Sequence, residues 1–230
     1  MLETVFLDAG GVLLYPNWSR ISLALAEHGV RVGPEKLAAS EPQAKRQLDV
    51  DSTIQSTDDA RRGWMYFNLI LTAAGIPLSE STAAALQALH AYHTVNNLWE
   101  FVPDYVPEAL TALRVRGCRL VVVSNANGTL RSHMNRLGLD ARVDHVLDSS
   151  DEGVEKPDPR IFEVALERSG AQRDTTIHVG DLYGVDVVGA RAAGIRGVLL
   201  DEADLYRDVD CPRVRSLPDL VGAVERGEFD

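Results

Sequence analysis

The chain has 230 residues, of which 45% are apolar, with a formal net charge of −11 and two cysteines, Cys118 and Cys211. That length and apolar content suffice for a substantial core in one large domain or two unequal ones, and the acidic balance excludes the clustered basic surface of a nucleic-acid binder. The cysteines form no CxxC pair, which argues against zinc or redox motifs. No apolar run approaches the roughly 20 residues a bilayer span needs, so the expected protein is soluble and cytoplasmic, with no export segment and no membrane contact.

The first element in chain order is a strand, Thr4 to Leu7, followed by Asp8 and the turn residues Gly10 and Gly11. From about residue 16 to 97 the signal is almost entirely helical. Ile21, Leu23 and Leu25 lead to a stop at Gly29, and Pro34 opens a second helix. Asp58 and Asp59 cap a third helix that ends at Gly75, and Ser79 or Ser81 caps a fourth through Leu86 and Leu89. A different pattern follows, in which helices alternate with short, continuously apolar strands. The helices are Pro107 to Arg116, Gly128 to Leu137, Pro159 to Ser169 and Asp186 to Ala193; the strands are Leu120 to Val123, Ile177 to Val179 and Val198 to Leu200. Strands of this kind are buried on both faces, as in a parallel sheet. The expected fold is α/β, a doubly wound parallel-sheet, Rossmann-like core formed by residues 1–15 and 98–230, with residues 16–97 inserted as an all-helical cap. The acidic tail, Glu225 to Asp230, reads as a frayed helix end.

Polar residues at the strand ends point to the chemistry. Asp8, Ser124 and Asp181 each close an apolar run, and in an open parallel sheet such positions converge on one crevice outside the carboxyl ends of the strands. Lys156, in EGVEKPDPRIF, and Asp186, in GDLYGVD, are the further candidates. Crowded carboxylates repel one another unless a cation sits among them, and hard oxygen ligands suit Mg²⁺. The Ser124 hydroxyl and the backbone amide of Asn125 can donate to phosphate oxygens, and Lys156 can neutralise charge. Positioning and neutralisation are most of what phosphoryl transfer asks of a protein. An aspartate can itself be the nucleophile, giving an aspartyl-phosphate.

In this order the residues resemble the four sequence motifs of the haloacid dehalogenase superfamily, over about residues 4 to 201. The phrases VPEALTALRVRGCRLVVVSN, KPDPRIFEVAL and GDLYGVDVVGARAAGIRGVLL are similar to the subgroup with an inserted helical cap. The resemblance implies that Asp8 is the nucleophile and a Mg²⁺ ligand, with Asp181 a second ligand and the backbone carbonyl of Gly10 a third. It further implies that Asp186 supports the metal site, that Ser124 and Asn125 bind the phosphoryl group, and that Lys156 is both catalytic and substrate-binding. Each residue also has a plainer reading: Ser124 as a cap of the following helix, Lys156 as a surface charge, and Asp186 as the N-cap of the helix running to Ala193.

The family's phosphatases carry Asp-x-Asp-Gly in the first motif, and Gly10 stands where the second Asp would be. That Asp is the family's general acid/base, a role that typically contributes roughly 10²–10⁴-fold. The expected function is therefore a Mg²⁺-dependent phosphohydrolase for a small phosphorylated, anionic substrate, either slow, selective for good leaving groups, or assisted by His90, Tyr92 or His93 of the cap. Three alternatives stand beside it. A 2-haloacid dehalogenase also lacks this Asp, but the family's dehalogenases lack the Gly-Asp that includes Asp181. A phosphonoacetaldehyde hydrolase would use a Schiff-base lysine such as Lys45. A non-catalytic phospho-ligand binder has no need of a nucleophile. No pattern shows which of Trp18, Arg20, Arg61, Arg62 or Asn96 meets substrate, and none bears on oligomeric state.

Overall fold

The structure, a computed structural model, describes residues 1–50 and 59–230. Asp58, and the side chains of Asp59, Arg61 and Arg62, lie outside the described residues. The described chain forms two compact units, Met1–Tyr15 with Val102–Asp230, and Pro16–Phe101. Among the described residues, no helix is long and apolar enough to cross a membrane.

The first unit is built on a six-stranded sheet in which every neighbouring pair is parallel. Its strands are β1 (Thr4–Leu7), β2 (Arg119–Ser124), β3 (His145–Asp148), β4 (Thr176–Gly180), β5 (Arg196–Leu200) and β6 (Arg213–Val214), in spatial order β3-β2-β1-β4-β5-β6. This is the Rossmann-like α/β class that the alternating pattern predicts. The order reverses at β1, and ligands of such sheets bind at the carboxyl ends beside that reversal. Register aligns those ends: Leu7 pairs with Val122 on one side and Val179 on the other, and Ser124 pairs with Asp148. All four residues of β1 and all five of β4 are buried, so nothing but their continuations past the ends can reach a ligand.

Two strands escape the sequence reading. β3, HVLD, is short and mixed in polarity, and β6 is a two-residue edge strand. Helix boundaries also shift. The helix expected from Pro107 starts at Tyr105, and the one expected from Gly128 starts at Leu130, because Gly128 turns left-handed (φ +84°). The helix expected from Asp186 starts at Val188, after a π-helical turn over Tyr183–Val187. The tail is the clearest correction. Leu217–Glu225 is a helix capped by Ser216, after which Phe229 is buried and Asp230 Oδ1 accepts a hydrogen bond from Leu2 N at 2.9 Å. Apolar burial and a backbone tie to the start of β1 thus anchor a segment whose charge suggests fraying.

The second unit holds α1 (Trp18–Glu27), α2 (Pro34–Val50), α3 (Asp59–Ala73) and α4 (Glu80–Asn96). Asn17 caps α1, and Ser79 rather than Ser81 caps α4 in a capping box with Thr82. Ile21, Leu25, Leu37, Ile70, Leu86 and Leu89 form its own core. The points where the chain enters and leaves this unit are joined within it. Asn17 N donates to Leu98 O (2.9 Å), and Glu100 accepts from Asn17 Nδ2 (2.9 Å), Arg20 Nε (3.1 Å) and the Tyr92 hydroxyl (3.0 Å).

Candidate active site

β1 delivers Asp8 to the centre of the sheet's carboxyl edge, where its backbone N–H continues the ladder to Val179 O at 2.9 Å. The glycine loop then folds tightly. Gly11 takes the left-handed conformation (φ +70°) that glycine adopts without penalty. The amides of Leu13 and Leu14 donate to Ala9 O, and Gly11 N donates to Leu14 O. Among the described residues, no hydrogen bond uses the Gly10 carbonyl, which leaves that oxygen available as a ligand.

Asp8 is held through one oxygen. Its Oδ1 accepts from Ala9 N at 2.7 Å and from Lys156 Nζ at 2.9 Å. Oδ2 has no protein donor among the described residues. Lys156 is 1% exposed, so the reading as a surface charge does not hold. Asn125 explains its approach: Asn125 Nδ2 donates to Lys156 O (2.9 Å) and Lys156 N donates to Asn125 Oδ1 (2.8 Å). The Asn125 side chain thus clamps the lysine's backbone, and no described residue engages its backbone amide.

Lys156 Nζ also meets Asp186 Oδ1 at 2.6 Å. Burial alone would lower the ammonium's pKa, but the attraction of Asp186 and Asp8 outweighs burial and raises it above the ordinary lysine value. Burial likewise works to raise the Asp186 pKa, and here Lys156 and a hydrogen bond from His178 reverse the sign and hold it below the usual carboxylate range. Asp186 accepts at three points: Oδ1 from Lys156 and from His178 Nε2 (3.0 Å), and Oδ2 from Leu182 N (3.0 Å). It caps no helix. Its side chain lies directly over Gly180, where an added Cβ would fall 2.0 Å from Asp186 Cγ. Gly180 is therefore a requirement of the carboxylate's position rather than of backbone conformation.

Asp181, 7% exposed, follows β4, and oxygens of Asp8, Asp181 and Asp186 all lie within 4.8 Å of one another. Among the described residues three carboxylates crowd together beside the Lys156 ammonium, and crowded carboxylates favour a cation. The donor set fits Mg²⁺: carboxylate oxygens on Asp8 and Asp181, and the unengaged carbonyl of Gly10. Asp186, with both oxygens already engaged, supports this set from behind.

Ser124 ends β2 with its hydroxyl engaged by no protein group among the described residues, and it caps no helix either. The following loop is shaped instead by residues the sequence reading missed. Asp148 Oδ2 accepts from Gly128 N (2.8 Å) and Leu130 N (3.1 Å), its Oδ1 accepts from Ser150 N (3.0 Å), and Ser149 Oγ accepts from Ala126 N (3.1 Å). The run DSSDE after an apolar pair is the signal that could have revealed them. Tyr15 is another: its hydroxyl accepts from that of Tyr105 (3.4 Å), and burial, then this bond and the charges of Asp181 and Glu202, push its pKa up, keeping the phenol protonated. In the helical unit, His93 Nδ1 accepts from Leu98 N (3.0 Å), Tyr92 serves Glu100, and Lys45 Nζ pairs with Glu41 at 2.8 Å, an ion pair that a Schiff-base amine would have to give up.

The arrangement brings together a carboxylate with one oxygen that no described residue engages, a buried ammonium, a serine hydroxyl and two further carboxylates. Known proteins resemble the chain in sequence and in fold. Residues 2–194 match the hydrolase family described as haloacid dehalogenase-like hydrolase. The chain is 31% identical over 194 residues to haloacid dehalogenase-like hydrolase domain-containing protein 3 of Homo sapiens, covering 82% of this chain and 76% of that protein. It is 28% identical over 225 residues to a glyceraldehyde 3-phosphate phosphatase of Methanopyrus kandleri, covering 96% and 92%. Among solved structures, magnesium-bound YfnB of Bacillus subtilis superimposes with a TM-score of 0.70 at 16% identity over 97% of this chain and 98% of that one, a likeness of fold.

Proposed function

Because the chain belongs to the haloacid dehalogenase-like hydrolase family, we propose that it is a Mg²⁺-dependent phosphohydrolase that acts on a small phosphorylated substrate through an aspartyl-phosphate at Asp8. The observation that carries this reading is the state of Asp8: Oδ1 is pinned by Ala9 N and Lys156 Nζ, Oδ2 has no donor among the described residues, and the carboxylate groups with those of Asp181 and Asp186. The relative named as a glyceraldehyde 3-phosphate phosphatase, matched over 96% of this chain, supports the substrate class.

Asp8, Asp181 and the Gly10 carbonyl would hold Mg²⁺, which neutralises phosphoryl charge when bound. The protein's own groups do the rest. Asp8 Oδ2 attacks phosphorus, the bond from phosphorus to the ester oxygen breaks, and that oxygen leaves with its electron pair. The Ser124 hydroxyl and the Asn125 amide donate to phosphoryl oxygens, and Lys156 offsets their charge. Water then attacks phosphorus, the bond from phosphorus to Asp8 Oδ2 breaks, and Asp8 is regenerated as a carboxylate while the water's protons leave with phosphate. Gly10 offers no proton to the leaving oxygen, so this reading favours substrates whose leaving group needs none, such as acyl and aryl phosphates.

The test is a phosphorylated-metabolite screen with Mg²⁺ that includes acetyl phosphate and p-nitrophenyl phosphate, run on the wild type and on Asp8→Asn in parallel. Turnover in the variant should fall by more than about 10³-fold. Turnover that survives the substitution excludes Asp8 as nucleophile and overturns the proposal.

A further inference from the structure

His178 takes no part in the steps above, yet its setting is costly. It sits in β4 fully buried, with the Phe162 ring packed edge-on at 4.8 Å between centroids, a place an apolar side chain would fill without polar strain. Its Nδ1 is buried with no hydrogen-bond partner among the described residues, which is unfavourable wherever it occurs. Nε2, by contrast, lies 3.0 Å from Asp186 Oδ1. A carboxylate can only accept, so the imidazole N–H is on Nε2 and the bare nitrogen is Nδ1. The residue therefore trades an orphaned acceptor for one directed donor.

That donor meets the same oxygen that receives Lys156 Nζ at 2.6 Å, and the ammonium continues to Asp8 Oδ1 at 2.9 Å. The chain His178, Asp186, Lys156, Asp8 is unbroken, and its first three members are each at most 1% exposed. Without the imidazole, Asp186 Oδ1 loses a fixed partner, and the carboxylate, still held at Oδ2 by Leu182 N, can pivot toward Lys156 and draw the ammonium off Asp8. We propose that His178 is a positioning residue: by donating to Asp186 Oδ1 it locks Lys156 against Asp8 Oδ1 and so keeps Oδ2 aimed for attack. This rests on the phosphohydrolase reading for its catalytic meaning, and on geometry alone for the positioning.

The test uses the full chain with three substitutions. His178→Leu and His178→Asn withdraw the donor, since an asparagine amide falls short of Asp186, whereas His178→Gln places an amide N–H near the position of Nε2. Crystal structures should show the 2.9 Å contact between Lys156 Nζ and Asp8 Oδ1 opened beyond hydrogen-bond range in His178→Leu and kept in His178→Gln. With p-nitrophenyl phosphate and Mg²⁺, kcat should fall about tenfold or more in His178→Leu, with KM within about twofold, and stay within about threefold in His178→Gln. If His178→Leu does not fold, His178→Asn answers the same question. An unchanged contact in the donor-withdrawn variant, or equal losses in the Leu and Gln variants, overturns the proposal. A wild type inert toward the probe overturns the phosphohydrolase reading, while the Lys156 to Asp8 distance still decides the positioning.

Discussion

On the phosphohydrolase reading, Gly10 decides which leaving groups the site can serve. Placing a carboxylate there supplies a proton donor beside the leaving oxygen, so Gly10→Asp should raise hydrolysis of alkyl phosphates by at least about tenfold, and that of aryl or acyl phosphates by less, because only a poor leaving group depends strongly on protonation. The left-handed residue of the loop is Gly11, and Gly10→Ala is the control for any added bulk. No preference for alkyl over aryl gain, relative to Gly10→Ala, would remove position 10 from the acid/base site. A second prediction concerns pH in the metal-free protein. Burial, opposed by Asp186 and outweighing it, lowers the His178 pKa, so the unfolded chain takes up the proton first and stability falls as pH drops below about 6.5. Asp186, with its folded pKa depressed, adds a further loss below about pH 4, and Lys156, with its folded pKa raised, loses its contribution only at alkaline pH above about 10.4. Thermal unfolding in EDTA should therefore show a midpoint that declines on both sides of a neutral plateau; a midpoint that rises on acidification from neutrality contradicts these assignments.

At the scale of elements, the loop after β2 depends on β3. Leu130–Arg136 has Thr129 at its N-cap without a side-chain bond, and its first amide is met by Asp148 from the neighbouring strand. Asp148→Ala leaves three backbone donors, Gly128 N, Leu130 N and Ser150 N, without that acceptor. A lost cap costs about 1 kcal/mol and unpaired donors add to it, so stability should drop by about 2 kcal/mol, a fall of roughly 5 °C in Tm. Because the same loop starts directly after Ser124 and carries Asn125, KM for a phosphate ester should rise more than Tm loss explains. A Tm within about 1 °C of wild type would show that water replaces the carboxylate at no cost.

Two crossings connect the units, between Tyr15 and Pro16 and between Phe101 and Val102. Inside the helical unit, Asn17 is bonded to Leu98 and Glu100, so its two ends are tied to each other. If that unit acts as a lid, bending is confined to the residues just outside this tie. Hydrogen exchange should then find Tyr15 and residues 101–102 faster than β1 and β4, and slowed by vanadate with Mg²⁺, since closure over a phosphate site excludes water. Protection equal to that of the strands, with and without vanadate, would argue against a lid.

The linear sequence by itself determined the sheet class and the strand-end acids, because a buried parallel strand is a local signal and Asp8 and Asp181 each stand immediately past one. The cap of α4 was legible only as a choice between Ser79 and Ser81, which the reciprocal bonds of Ser79 with Thr82 decide. What only tertiary structure decided is pairing at distance. In sequence Lys156 reads as a site cation or, more plainly, as a surface charge, and the choice is made by Asn125, 31 positions away, which clamps its backbone while its ammonium meets Asp8. β3 is too short and polar to declare itself, yet its Asp148 shapes the loop that follows Ser124. His178 looks like one residue of an apolar strand, and only its contact with Asp186 across a π-helical turn gives it a purpose. Periodicity and turn chemistry act between neighbours in sequence, whereas burial and ion pairing act between neighbours in space, and the second set exists only once the chain has folded.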